Sequence, residues 1–251
     1  MRGVFFKQPF EYRLDVSGDE WRQGDALAAV LTVKNRSNFI QPLPGLFLRL
    51  AQGDFKSVRE KKPNAFTLIA CAELDAQAEL GPDEERRFPW TFSLDRNCPV
   101  SDKAQSLFLL CGCGELGDAA GHLALNVQPH PHIDAVLSLM ESSFSFVLKG
   151  QKSRKGRIEA KLKPPAGKEY PTLEHLLLFF RFVEDSLQLN FCFNLKTLQA
   201  SATTLEMKKA KREIEQVLPL KNYLFPGGQI NNEPLEAAIG ETLAAVKSKG
   251  F

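Results

Sequence analysis

A chain of 251 residues with 43% hydrophobic side chains can bury a real core in one large domain or two ordinary ones, and 25% charged residues with a formal net charge of +2 do not single out nucleic acid as a partner. Five cysteines, an odd number at low density, argue against a disulfide framework. The most apolar run, residues 176–183, is interrupted by Arg181 and falls short of the ~20 residues of a spanning helix; the segment Met1–Lys7 lacks the pattern of a signal peptide. Together these point to a cytoplasmic protein.

In chain order, the repeating signal is period two. Phe10, Tyr12, Leu14 and Val16 alternate with Glu11, Arg13 and Asp15. The same alternation runs through Leu27, Ala29, Leu31 and Val33, then Phe66, Leu68, Ala70, Ala72 and Leu74, then Phe88, Trp90, Phe92 and Leu94 around Pro89. Such alternation places one residue set on a dry face and the other on a wet face, as in an antiparallel sheet over a core. Turn residues separate the runs at 17–19, 35–38, 81–83 and 115–118. The 19 phenylalanines suit buried sheet faces, since Phe needs no hydrogen-bond partner.

The segment Val127-Gln128-Pro129-His130-Pro131-His132 reads as a join, because its alternate prolines favour extended backbone. Residues 133–140 read as one or two helical turns. A second strand series is predicted at 143–149, 156–163, 174–183 and 187–195, the last being the cleanest alternation of all. Two late helices are predicted. Residues 204–218 are rich in strong helix formers, and residues 233–248 follow a capping Asn231-Asn232 with Pro234 at the start and an apolar stripe of Leu235, Ile239, Leu243 and Val246. The fold expected is all-β: two consecutive antiparallel β-sandwich domains, 1–128 and 129–251, with one or two short helices in the C-terminal half.

Candidate chemistry is sparse. The sequence has no Gly-x-Ser-x-Gly and no phosphate-binding Gly-x-x-x-x-Gly-Lys, so no catalytic residue is assigned. Cys111 and Cys113 are two apart, as are His130 and His132, and residues two apart on a strand share a face. The alternatives are a zinc site drawn from both pairs, or a buried strand end and a stiff linker; structural zinc favours a Cys-x-x-Cys spacing that is absent here. No cofactor is expected.

The sharpest charge feature is 149–168, which carries Lys149, Lys152, Arg154, Lys155, Arg157, Lys161, Lys163 and Lys168 against Glu159 alone. Of these, Lys152, Arg154, Lys155, Arg157, Lys161 and Lys163 form the candidate site for a protein partner or an anion, and a phosphorylated or acidic peptide or an anionic membrane surface would suit them. The plainer alternative is a solvated hairpin whose lysines guard an exposed edge. The segment lacks aromatic residues, which counts against single-stranded nucleic acid. Lys208, Lys209, Lys211 and Arg212 form a second basic group; on the 204–218 helix Lys208, Lys211 and Arg212 share one side, with Lys209 farther around.

Three stretches resemble arrestin-like proteins and, among them, the bacterial sporulation-control family. They are residues 12–34, with Trp21-Arg22-Gln23-Gly24-Asp25 between two strands; residues 88–102, ending in Cys98-Pro99-Val100-Ser101; and residues 125–146, where a valine-x-proline-x-proline join leads into a short helix and an opening strand. The chain departs from that family at its start, with only Met1–Gln8 before the first predicted strand, and around 169–178. The resemblance implies a non-catalytic cytoplasmic adaptor or scaffold that binds proteins through strand edges and interdomain loops, in a regulatory setting. A peripheral protein at the inner face of the membrane, using 149–168 and an amphipathic helix, is the alternative; an enzyme with a site assembled only by the fold is a third.

Overall fold

The computed structural model describes residues 1–43, 45–74, 79–113, 119–154, 156–200 and 205–247. The turn predicted at 115–118 lies outside them, as does Lys155. The chain divides into two compact units, Met1–Gln128 and Pro129–Phe251.

In the first unit the strands are β1 (Arg2–Lys7), β2 (Phe10–Val16), β3 (Trp21–Arg22), β4 (Ala26–Asn35), β5 (Gln41–Pro42), β6 (Leu46–Asp54), β7 (Phe66–Leu74), β8 (Glu79–Leu80), β9 (Glu85–Ser93), β10 (Gln105–Cys113), β11 (Ala119–Leu125) and β12 (Val127–Gln128). A five-residue helix, α1 (Phe55–Arg59), follows β6. Two four-stranded sheets result, with orders β1-β2-β4-β9 and β11-β10-β6-β7, their long pairings all antiparallel. The predicted alternation fixes the core: Tyr12, Leu14, Leu27, Leu31 and Val33 of one sheet pack with Leu48, Leu50, Leu107, Leu109 and Cys111 of the other. Pro89 is accommodated because β9 is an edge strand, where a missing N–H breaks no ladder.

Three features depart from the expected pattern. Residues 2–7 are a strand in their own right, paired along their length with β2. The alternation of residues 66–74 is split by a bulge: Ala70 pairs with Leu50 but Leu68 pairs with Ala51, which leaves Ile69 as the extra residue. Ala72 and Leu74 therefore face the main core, whereas Phe66 turns to the opposite face and Leu68 is largely exposed. The sheet β11-β10-β6-β7 is apolar on both faces. Phe47, Ala51, Phe108 and Leu110 form a second small core on its outer side, covered by Phe55 and Val58 of α1. This is why β6 and β10 read as continuous apolar runs rather than alternating ones.

A buried polar hub holds the loops of this unit. Asn35 has no exposed surface; its Nδ2 donates to the carbonyls of Phe39 (2.7 Å), Leu80 (2.9 Å) and Gly81 (3.1 Å), and its Oδ1 accepts from the Ser37 N–H at 2.9 Å. Elsewhere, Phe5 of β1 lies directly over Gly121 of β11, where an added Cβ would collide with the ring.

The second unit opens with α2 (Pro131–Ser142) and continues as β13 (Val147–Arg154), β14 (Arg157–Lys163), β15 (Leu173–Val183), β16 (Ser186–Ala200), β17 (Leu205–Pro219) and α3 (Asn232–Ala244). Among the described residues the five strands form one antiparallel meander in sequence order. Residues 143–146, expected to begin the strand series, instead lead out of α2, and β13 starts at Val147. The inner face carries Ile158, Ala160, Leu162, Leu176, Leu178, Phe180, Leu187, Leu189, Phe191 and Phe193, all buried. Helix α3 closes on it. Leu235, Ile239 and Leu243 are buried, Gln216 Nε2 donates to the Ala238 carbonyl at 3.0 Å, and an Arg212 N–H donates to the Ala245 carbonyl at 2.7 Å. Asn231 caps α3, its Oδ1 accepting from the Glu233 N–H.

The helix predicted at 204–218 is strand β17. Each of its 15 residues pairs with β16, from Leu205 with Ala200 to Pro219 with Ser186. Its Glu, Lys, Met and Ala content favours helix locally, but a ladder along the whole of β16 outweighs a preference worth only a few tenths of a kcal/mol per residue. Lys209 and Lys211 are consequently exposed on a strand rather than on a helix face. The hairpin also overruns the sheet. The pairing of β15 with β16 ends at Leu195, so residues 197–200 and 205–208 make a two-stranded ribbon with no third strand beside it among the described residues.

Candidate functional site

Strands β13 and β14 are the basic hairpin, and β13 is an edge of the sheet. The register places Lys152 opposite Glu159, Arg154 opposite Arg157, and Gly150 opposite Lys161. Pleating puts Lys152, Arg154, Arg157, Glu159 and Lys161 on the outer face. Glu159 is the decisive neighbour. It is buried (6% exposed) and forms ion pairs with Lys152 Nζ at 3.1 Å and with an Arg154 guanidinium nitrogen at 3.5 Å. Two of the six candidate residues are therefore tied to one carboxylate. Lys161 and Lys163 are exposed, and Lys155 lies outside the described residues.

Arg157 behaves differently. Its guanidinium lies over the Phe179 ring, 4.2 Å from the centroid. Next along the register from the Ile158–Phe180 pair comes Arg181, on the same outer face. Arg157, Phe179, Phe180, Arg181, Gln188, Asn190 and Glu215 line one groove of about 240 Å³ that crosses four strands. Asn190 Oδ1 is buried there with no hydrogen-bond partner, and Gln188 Nε2 donates to Glu215 Oε1 at 2.5 Å. The sequence marks Arg181 only as an interruption of an apolar run and gives no signal that joins it to Asn190 and Glu215.

The metal candidates do not assemble. Cys111 is buried and its thiol is pushed up to about 12 by desolvation, which disfavours the thiolate a metal needs. Its Sγ faces the Gly121 carbonyl at 3.8 Å, while Cys113 Sγ accepts from Tyr12 Oη at 3.7 Å. His130 and His132 belong to the other unit and are engaged in capping α2. The His132 N–H donates to His130 Nδ1 at 3.3 Å, and His132 Nδ1 meets Tyr223 Oη at 2.9 Å in a cluster with Phe182. Among the described residues no three His, Cys, Asp or Glu side chains converge in metal-holding geometry. No helix among them is long and apolar enough to cross a membrane.

A second groove, of about 580 Å³, lies in the first unit between Val58, Pro63 and Phe66 on one side and Phe5, Ala120 and His122 on the other. His122 is edge-on to both Phe66 and Phe108 (centroids 5.5 and 5.6 Å), and this desolvation holds its pKa below the ordinary value.

The sporulation control protein Spo0M from Bacillus subtilis superposes on this chain with a TM-score of 0.65, covering 96% of this chain and 100% of its own at 18% sequence identity. The chain has the Spo0M fold. The likeness extends over nearly the whole chain, as the resemblance in the sequence implied. Lesser similarities cover about half of this chain: a β-glucosidase from Listeria innocua (TM-score 0.30, 15% identity, 48% of this chain and 16% of that one) and the C-terminal domain of wzt (TM-score 0.32, 7% identity, 51% and 79%). No family model and no curated protein matches the sequence.

Proposed function

We propose that this protein is a non-catalytic, regulatory adaptor in the cytoplasm that holds an acidic segment of a protein partner against the basic edge of its second unit. The observation that carries this reading is β13. It is an edge strand with an unpaired side to its ladder among the described residues, and the hairpin it forms with β14 sets Lys149, Lys152, Arg154, Arg157, Lys161 and Lys163 against a single carboxylate. An extended peptide can add to such an edge by main-chain hydrogen bonds, with side-chain charge supplying selectivity. The name of Spo0M, a sporulation control protein, supports a regulatory rather than a catalytic setting. The membrane-surface alternative loses its helix, since the apolar stripe of α3 is buried within its own unit.

The test is affinity capture from native lysate with wild type beside a variant reversed at Lys149, Lys161 and Lys163, which leaves the Glu159 ion pairs in place. A specific protein retained by wild type and lost by the variant is expected. Capture of the same proteins by both baits removes the basic edge from the mechanism. Salt-sensitive flotation of wild type with phosphatidylserine vesicles, lost in the variant, would replace the adaptor with a lipid-binding protein.

A further inference from the structure

We infer that the groove floored by Phe179 and Asn190 binds a carboxylate with a hydrogen-bond donor beside it, the chemistry of a polypeptide C-terminus or a free amino acid. The inference rests on the reading of this chain as a binding protein, and it assigns the recognition chemistry to a different set of residues from the edge lysines.

Three features of the groove converge. First, Arg157 and Arg181 stand side by side on β14 and β15, and neither forms an ion pair among the described residues, in contrast to Lys152 and Arg154 on Glu159. Phe179 fixes the Arg157 plane from below, which leaves the in-plane N–H edge to grip an oxyanion; a planar fork matches the two oxygens of a carboxylate. Second, one strand further on, Asn190 Oδ1 is a buried acceptor without a donor. An unmet acceptor of this kind is costly, and a ligand N–H or ammonium next to the carboxylate satisfies it. Third, Glu215 closes the far end, its Oε1 already taken by Gln188. Two arginines against one glutamate leave one surplus positive charge, which matches a monoanion better than a phosphate dianion. The volume of about 240 Å³ is of the order of one terminal residue rather than a folded surface.

The experiment is an NMR titration of the full chain, following the Arg Nε–H and Asn side-chain amide signals. The probes are N-acetyl-Gly-Gly as the free acid, its C-terminal amide, propionate as a carboxylate without the neighbouring N–H, glycine and inorganic phosphate. Saturable shifts at Arg157, Arg181 and Asn190 are expected with the free acid, and the amide should bind at least ~10-fold more weakly, since it lacks the charge-assisted pair. Arg181→Gln and Arg157→Lys should each weaken the free acid by about 10-fold, the second because it keeps the charge and loses the fork. Asn190→Leu should abolish the advantage of N-acetyl-Gly-Gly over propionate. Thermal melts of each variant separate loss of binding from loss of fold. Tighter binding of the peptide than of glycine assigns the site to chain ends, and the reverse assigns it to free amino acids; both support the site. Equal binding of acid and amide, binding untouched by Arg181→Gln, or phosphate binding as tightly as the acid would overturn it. If the peptides fail while the edge-lysine variant still loses its captured partner, the groove falls and the adaptor stands.

Discussion

The two units use their sheets in opposite ways. In the first, both sheets contribute a face to the main core, and one is covered again on its outer side by α1. In the second, a single described sheet is closed on its inner face by a helix, and its outer face is mixed, with Arg157, Arg181, Gln188, Asn190 and Glu215 set among apolar side chains such as Phe179 and Val217. A face committed to packing tolerates little chemistry. A face left to solvent can hold charges at a fixed cross-strand spacing, and here that face carries Arg157, Arg181 and Glu215.

The contrast is most severely tested by removing one core anchor from each unit. Phe191→Ala empties the centre of the second unit and should cost about 3–5 kcal/mol; Leu14→Ala in the first should cost about 2–5 kcal/mol. Calorimetry should then show one transition moved and the other held in each case. If both transitions move together, the units are not energetically separate. Next in size is Asn35→Ala, which strips the donor from three carbonyls in the first unit; a loss of about 2–3 kcal/mol in chemical denaturation is expected. Gly121→Ala forces a Cβ into the Phe5 ring and should cost about 1–3 kcal/mol, whereas Gly150→Ala on the open β13 edge meets nothing within 4 Å and should stay within about 0.5 kcal/mol. Similar costs at the two glycines would show that the second unit is packed as tightly as the first.

The smallest effect is electrostatic. Burial against Phe66 and Phe108 depresses the pKa of His122, so the neutral ring is the form the fold prefers. The unfolded chain then takes up a proton before the folded one does. This contribution to stability is complete above the unfolded value near 6.5 and is lost as pH falls towards the lower folded value. His175, also depressed by burial, acts in the same direction in the second unit. His122→Phe should flatten the acid-side slope of the first transition between pH 7.5 and 5 and leave the second unchanged.

Much of this architecture was legible in residue patterns, because alternation reports a half-buried strand directly: residues 10–16, 27–33 and 187–195 fall on strands in the expected phase. Legibility failed where another effect prevailed. Residues 205–219 carry helix formers but are recruited by a 15-residue ladder, a tertiary effect absent from any local window. The alternation at 66–74 was genuine on both sides of Ile69, but a one-residue bulge reversed the face. The candidate site was legible only as a charge run. Glu159 was visible in the sequence as its lone opponent, but that it sits buried between Lys152 and Arg154 follows from hairpin register. The groove joins Arg157 to residues as distant as Glu215, and only the pairings of Ile158 with Phe180, Phe179 with Asn190 and Asn190 with Glu215 bring them together.

The overrun of β16 and β17 past the end of β15 has a consequence for tolerance to change. A two-stranded ribbon without a third strand is marginal by itself in water, so its opening is uncoupled from the cooperative unfolding of the sheet behind it. Backbone amides in 197–200 and 205–208 should exchange with solvent orders of magnitude faster than those in 187–193. Over evolutionary time the same uncoupling makes this hairpin the place where the chain can lengthen or shorten by whole residue pairs while the Arg157–Glu215 row stays in register.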